Sequence, residues 1–298
     1  MSGPAKRPAL LLANSAAGSA SPERLDAVET ALGEGFTVTR ETCDGPDELR
    51  STLDRFPGDR VVVAGGDGSL HVLVNVLADL GRLDDTVVGL APMGTANDFA
   101  TGLGLPDDPV AAARACVLGE PAAVDALIAD DGEVIVNAAH AGVGAVASDR
   151  AQAAKPVVGA LAYPLAALVA GATTPGYQLT ITIDDTVVHD GTTLFALAAN
   201  GPCLGGGARL CDGADPADGA IDVLVIGDVP VLDRAGLAVD LQRGTHTEHD
   251  HVDRYRGTSV RVHGEAVDHS RDGELCHDLA DATYTVRPAA WHLLRVPG

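Results

Sequence analysis

Two short loops carry the residue types that phosphate chemistry needs. Gly65, Gly66, Asp67, Gly68 and Ser69 follow the β-branched run Val61-Val62-Val63, and Gly94, Thr95, Asn97 and Asp98 follow Val87–Ala91. Glycines let a backbone approach a phosphate closely and are expected here to adopt positive φ. Ser69, Thr95 and Asn97 add polar side chains at the start of each following helix. A carboxylate among such groups repels phosphate unless a magnesium ion lies between them, or unless it orients a hydroxyl for attack. Gly65–Ser69 alone is equally the signature of a tight turn with an aspartate cap. Two such loops on successive strands, each with its own aspartate, instead point to a Mg-nucleotide, because loops at the carboxyl ends of parallel strands face one crevice.

Other phosphate and metal motifs fare worse. A P-loop requires G-x-x-x-x-G-K-[ST], and neither lysine, Lys6 nor Lys155, has that context. Gly142-Val143-Gly144-Ala145-Val146-Ala147 fits G-x-G-x-x-A, but it lies far from the first strand and lacks the ribose-binding acid downstream. Cys43, Cys116, Cys203, Cys211 and Cys276 form no C-x-x-C pair, so neither a disulfide framework nor a zinc site is supported. His246, His249 and His251 could ligate a metal with Glu248 and Asp250, yet their spacing matches no standard zinc pattern and reads as a polar loop.

The loops must be placed by strands and helices, and the sequence supplies them. Residues 1–124 alternate as βαβ units: strands at Ala9–Ala13, Thr37–Arg40, Arg60–Ala64 and Val87–Ala91, with helices opening at Ser21-Pro22-Glu23 and spanning Pro46–Phe56, His71–Leu80 and Pro109–Leu118. This predicts an α/β domain around a parallel sheet. Residues 125–286 change character and predict a mostly antiparallel β domain. Its strands are expected at Glu133–Ala138, Gln178–Asp184, Thr186–His189, Thr193–Ala199, Ala220–Ile226, Ser259–His263 and Ala282–Val286, with helices at Gly159–Ala170 and Val231–Arg243. The segment from about residue 287 to 298 is expected to return to the first domain.

Composition narrows the setting. Forty-two acidic residues stand against 20 basic ones, a net charge of −22 spread along all 298 residues. Such a chain repels itself at low salt and is soluble when salt screens it, as in the cytoplasm of an extreme halophile. It lacks the basic face that nucleic acid requires. No stretch is long and apolar enough to span a bilayer or to serve as a signal peptide, so a cytoplasmic protein is expected.

Taken together, Gly65–Ser69 and Pro92–Ala100 resemble the soluble lipid kinase family that includes bacterial diacylglycerol kinases and sphingosine kinases. The resemblance runs along nearly the whole chain. Asn14-Ser15-Ala16-Ala17-Gly18 is similar to the family's first nucleotide loop, with serine for proline, and Asp125 stands where the family enters its second domain with an aspartate. Gly205–Leu210, Asp215–Ile226 and Asp272-Gly273-Glu274 resemble further family segments. What this implies is an NAD kinase/diacylglycerol kinase-like fold and transfer of a phosphoryl group from ATP, with Mg2+, to the primary alcohol of a lipid such as diacylglycerol. Asn14, Gly18, Thr42, Gly65, Gly66, Asp67, Gly68, Ser69, Gly94, Thr95 and Asn97 would bind nucleotide. Asp67, Asp98, Asp125 and Glu274 would be catalytic, Glu274 as the general base. Asp215, Asp218 and the carbonyl of Ala220 would hold a structural magnesium, although Asp215 replaces a lysine there. The lipid would be met at the membrane surface, a peripheral location; a homodimer is left open.

Two departures bear on this reading. Val72 replaces a glutamate after His71, and Val146 replaces an aspartate. They keep two alternatives open: an NAD kinase-like phosphotransferase acting on a soluble substrate, and a nucleotide-binding regulator without catalysis. Retention of Glu274 favours the enzyme. Its own bland reading is an acid beside a hairpin turn, since Asp-Gly is a common hairpin signal.

Overall fold

The computed structural model of the chain describes residues 6–14, 21–142 and 175–296. Two compact units form, Met1–Val124 with Ala289–Gly298, and Asp125–Pro288.

The first unit runs β1 (Arg7–Asn14), α1 (Pro22–Leu32), β2 (Phe36–Cys43), α2 (Pro46–Arg55), β3 (Arg60–Gly65), α3 (Asp67–Asp79), β4 (Val87–Pro92), α4 (Asp98–Gly102) and α5 (Pro109–Leu118). The strands pair in parallel in the order β2–β1–β3–β4. Every residue of β3 is buried, which is why it reads as an unbroken Val-rich run instead of alternating. Ser21 accepts the Arg24 N–H and Asp108 the Ala111 N–H, each with proline at the first helical position, so α1 and α5 start where cap chemistry dictates. Val28, Ala31 and Leu32 of α1 pack with Leu11, Val62, Ala113 and Cys116.

β5 (Glu120–Ala129) leads into the second unit, followed by β6 (Val134–Ile135), β7 (Ala138–Gly142), β8 (Tyr177–Ile183), β9 (Thr186–Thr193), β10 (Phe195–Ala199), β11 (Cys203–Leu204), β12 (Ala208–Arg209), β13 (Ile221–Ile226), α6 (Arg234–Arg243), β14 (Val252–Gly257), β15 (Ser259–Arg271) and β16 (Glu274–Arg295). Pairing along β7–β10–β13–β14 is antiparallel, and β15 pairs antiparallel with β7, β8 and β16. Leu127, Ile181, Val223, Val260 and Tyr284 fill one core, while Phe195, Leu197, Leu224, Leu237 and Leu241 bury the inner side of α6 in another. From Ala289 on, β16 belongs to the first unit, where His292 and Leu293 pair in parallel with Val87 and Val88.

The predicted α/β and antiparallel halves are both present, with differences in extent. The helix expected from His71 begins at Asp67, inside the glycine loop itself. The strand expected at Glu133–Ala138 divides into β6 and β7. Ser259–His263 and Ala282–Val286 are parts of strands of 13 and 22 residues. The helix expected from Val231 starts at Arg234. The helix expected at Gly159–Ala170 lies outside the described residues.

Candidate active site

The two glycine loops of the first unit are locked to each other, backbone against backbone. The Met93 N–H donates to the Gly65 carbonyl at 2.9 Å, continuing the β3–β4 pairing past the strand ends. A methyl group built on Gly94 would stand 2.5 Å from the Gly66 Cα, and one on Gly66 would stand 2.8 Å from the Gly94 Cα. Gly65 is confined in the same way by Ser69, whose Oγ would lie 2.5 Å from an added Cβ. None of the three glycines Gly65, Gly66 and Gly68 has positive φ, contrary to expectation. Close approach, not left-handed backbone, requires the first two.

Gly68 is different, because a Cβ there would meet nothing. It is exposed in the first turn of α3, where N–H groups have no intrahelical acceptor, and the helix's N-cap is Gly66, with no side chain to supply one. The 13-residue α3 thus presents its positive end beside an open glycine, an arrangement suited to an anion.

Asp67 turns inward to the second loop. Its Oδ2 accepts the Asp98 N–H at 3.0 Å and its Oδ1 the Phe99 N–H at 3.1 Å, so this carboxylate caps α4 from 31 residues away. Asn97, at φ 52°, closes its own loop: its Oδ1 accepts the Gly94 N–H at 2.9 Å and its Nδ2 donates to the Gly94 carbonyl at 3.1 Å. Asp98 is buried at the start of α4 and Thr95 is exposed. Phe99 stacks at 5.7 Å on Trp291, which anchors α4 in the core. Asn14 ends β1, and Thr42 is exposed near the end of β2, paired in register with Ala13. Gly18 lies outside the described residues.

In the second unit, Asp125 is buried and its Oδ2 accepts the Gly219 N–H at 2.7 Å; its own N–H donates to the Pro216 carbonyl at 2.7 Å. Asp272 and Gly273, at φ 50° and 96°, form the two-residue turn between β15 and β16, and Arg271 pairs across it with Glu274. The Asp272 carboxylate accepts three backbone N–H groups, from Val136 at 2.6 Å and from Asn137 and Ala138 at 2.9 Å each. Glu274 is exposed as the first residue beyond this clamped turn. The expected hairpin and the expected base are therefore compatible, since the turn holds the acid out toward solvent.

Three of the candidate histidines are accounted for by packing. His71 is buried on α3, with Asn75 Nδ2 3.4 Å from its Nδ1. His140 is buried on β7 against Phe195, and burial pushes its pKa down to about 4. His246 is also buried, its Nε2 3.0 Å from the Leu210 carbonyl.

The structure brings Asp215, Asp218 and Ala220 together in the turn before β13, where the Asp218 N–H donates to the Asp215 carbonyl at 3.3 Å. One Asp218 oxygen accepts the Ala220 N–H at 3.1 Å and the other is ion-paired with Arg256. Among the described residues no three His, Cys, Asp or Glu side chains gather in a metal-holding arrangement, and this includes the histidines of 246–251. Sequence reasoning also missed Arg256, whose partner Asp218 lies 38 residues away.

The parallel sheet with two interlocked glycine loops, joined in sequence to a β-rich unit carrying a clamped Asp-Gly-Glu turn, defines a class of phosphotransferase. Comparison with known proteins agrees. The profile described as "Diacylglycerol kinase catalytic domain" matches residues 8–129, and that described as "YegS C-terminal NAD kinase beta sandwich-like domain" matches residues 137–295. A protein of Chromohalobacter salexigens named "Probable lipid kinase YegS-like" is 30% identical over 86% of this chain and 83% of its own. A Mycobacterium tuberculosis protein named "Diacylglycerol kinase" is 29% identical over 80% of this chain and 77% of its own. A crystal structure of a diacylglycerol kinase from Bacillus anthracis str. Sterne has the same fold, with a TM-score of 0.76 over 98% of this chain and 97% of that one at 19% identity. The chain belongs to the diacylglycerol kinase-like family of lipid kinases, phosphotransferases with an alcohol group as acceptor. No helix among the described residues is long and apolar enough to cross a membrane.

Proposed function

We propose that this chain transfers the γ-phosphoryl group of ATP, with Mg2+, to the primary hydroxyl of a lipid such as diacylglycerol. The observation that carries the nucleotide half is the pair of locked loops, in which the α3 N-terminus opens beside Gly68 with no side chain in the way. Bound there, ATP supplies the phosphoryl group and Mg2+ neutralises the charge on it. The chain's own contribution is position. Gly65, Gly66 and Gly94 fix the loops, Asp67 and Asn97 hold the second loop in shape, and the Gly68 and Ser69 N–H groups would hold the phosphates. Because both Asp67 oxygens already accept backbone N–H groups, that residue would hold a magnesium only through its remaining lone pairs or through water.

Glu274 is the proposed base, taking the proton from the lipid hydroxyl. It is exposed and held by a rigid turn, whereas His71 and His140 are enclosed in cores where no lipid hydroxyl can reach. The direct test is turnover of labelled ATP with diacylglycerol and, separately, with a total lipid extract. Label in a lipid phosphate supports the reading. Saturable ATP binding with no labelled lipid would replace it with the regulator that Val72 suggests, and label in a soluble product with the NAD kinase-like alternative.

A further inference from the structure

The family resemblance assigns a structural magnesium ion to the turn before β13, and the residues there argue otherwise. β13 and β14 pair antiparallel with Asp222 opposite Arg256, which brings two arginines two positions apart to the same strand face as Asp222. Arg254 lies 3.9 Å from Asp222 Oδ1 and also donates to the Asp212 carbonyl at 3.0 Å. The Arg256 Nε lies 3.8 Å from Asp222 Oδ2, while its Nη2 is bonded to Asp218 Oδ2. The other Asp218 oxygen is on the Ala220 N–H, and the Asp218 N–H donates to the Asp215 carbonyl at 3.3 Å. The same turn supplies the Gly219 N–H that holds the Asp125 carboxylate.

We infer that Arg256 stands in for the metal: its guanidinium is the built-in cation of this turn, and the turn takes no divalent ion. Magnesium requires near-octahedral oxygen ligands at about 2.0–2.1 Å and gives up its water reluctantly. Here one oxygen of the carboxylate it would need is ion-paired with a guanidinium and the other accepts a backbone N–H, so the lone pairs left over lie beside a fixed positive charge. Binding would break the ion pair and set a dication beside two fixed positive charges. The charge balance points the same way: Asp218 and Asp222 pair with Arg256, Asp222 also lies near Arg254, and Asp215 acts on Arg256 only through its charge, so three carboxylates against two guanidiniums leave −1. A guanidinium also offers planar, directed donors, so it can hold Asp218 and Asp222 together as a point charge cannot. One consequence is that Asp125 keeps its position without any metal bound to the turn.

The test uses the nucleotide-free whole chain, at constant ionic strength, with no activity readout. Mn2+ is titrated by electron paramagnetic resonance, and melting is followed with EDTA or with Mg2+. For the wild type we expect no stoichiometric Mn2+ site and the same melting point under both conditions. Removing one positive charge from beside the vacated carboxylates in Arg256→Met should tighten Mn2+ binding by at least about tenfold. That gain should vanish in Arg256→Met/Asp218→Asn and be absent in Arg256→Lys. A wild-type Mn2+ site that disappears in Asp218→Asn would overturn the inference, as would Arg256→Met binding Mn2+ no better than the wild type. If Arg256→Met does not fold, the wild-type and Asp218→Asn titrations decide the matter alone.

Discussion

Lowering the pH from 7 to 4 should unfold the second unit, because it buries two neutral histidines side by side. His140 on β7 and His269 on β15 occupy adjacent strands, with Ser270 opposite His140 and His269 opposite Ala141. Burial pushes both pKa values down from 6.5 to about 4, with the charge of His269 adding to the effect at His140 and that of Arg271 adding to it at His269. Asp130 and Asp268 oppose the shift at His269 without reversing it. The His269 Nδ1 lies 2.7 Å from the Tyr284 hydroxyl, whose own pKa burial raises to about 12, so the phenol is the donor and the imidazole the acceptor. The His140 Nδ1 is buried with no partner. The cavity they line, about 10 Å3, holds one water at most, too little to solvate an imidazolium.

The sign follows from linkage. Between pH 6.5 and 4 the unfolded chain binds protons that the folded chain refuses, so this stability is fully present above 6.5 and is lost as the pH falls through that window. Each histidine contributes a slope of about 1.4 kcal/mol per pH unit, and each costs about 2 kcal/mol by pH 5 and about 3 by pH 4. Two together reach about 6 kcal/mol at pH 4, which is comparable with the whole stability of a typical domain. Carboxylates lowered by ion pairs, such as Asp131 and Asp281, also lose stability on acidification, so the diagnostic is a difference of slopes. Urea unfolding followed by circular dichroism, with exchange of the β7 and β15 amides reading this unit alone, should be compared for wild type and His140→Leu between pH 4.5 and 7.5. Below pH 6.5 the variant should lose about 1.4 kcal/mol per pH unit of slope, and above it the two curves should run parallel, whatever constant offset its altered packing adds. Curves that stay parallel below pH 6.5 would refute the burial argument.

Two further outcomes rest on the site's hydrogen bonds and burial, and a third on the chain's charge. Asp67→Asn should lower stability by about 1–3 kcal/mol as well as abolishing transfer, because an amide can accept only one of the two α4 N–H groups and turns a donor toward the other; an unchanged melt would refute the cap. Glu274→Gln should reduce kcat by at least about a hundredfold with ATP affinity unchanged, whereas His71→Ala should cost stability and leave kcat per folded molecule near normal; side-by-side kinetics and nucleotide titrations check both, and a dead His71→Ala with a normal Glu274→Gln would reverse the assignment. With a net charge of −22, the melting point should climb with potassium chloride into the molar range, and a flat profile would remove the electrostatic account of the composition.

What could be read from the sequence was what is local in the chain. The β3–loop–α3 unit is legible because Val61-Val62-Val63, three glycines and a helical pattern succeed one another within a few residues. The reason for the glycines was not legible. Gly66 needs no side chain because Gly94 presses against it, and that neighbour is supplied by the next strand. Taken alone, Asp67 reads either as a metal or substrate carboxylate or as the cap of its own turn; its two acceptor bonds go to Asp98 and Phe99, which no window around Asp67 contains. The long strand β16 hid for a related reason. Asp278 and Ala289 interrupt it at positive φ, and the buried and exposed positions lose strict alternation outside 282–286, so only that stretch carries the period of two. β7, Ala-Ala-His-Ala-Gly, is buried throughout and built of residues with little strand preference, so its neighbours, not its composition, make it a strand. The same reasoning separates the two kinds of acid in the chain. Asp67, Asp125 and Asp272 each spend carboxylate oxygens on backbone N–H groups distant in sequence, and so shape the loops. Glu274 is exposed beyond a turn that Asp272 already holds, and of the four candidate acids it is the one we propose for proton transfer.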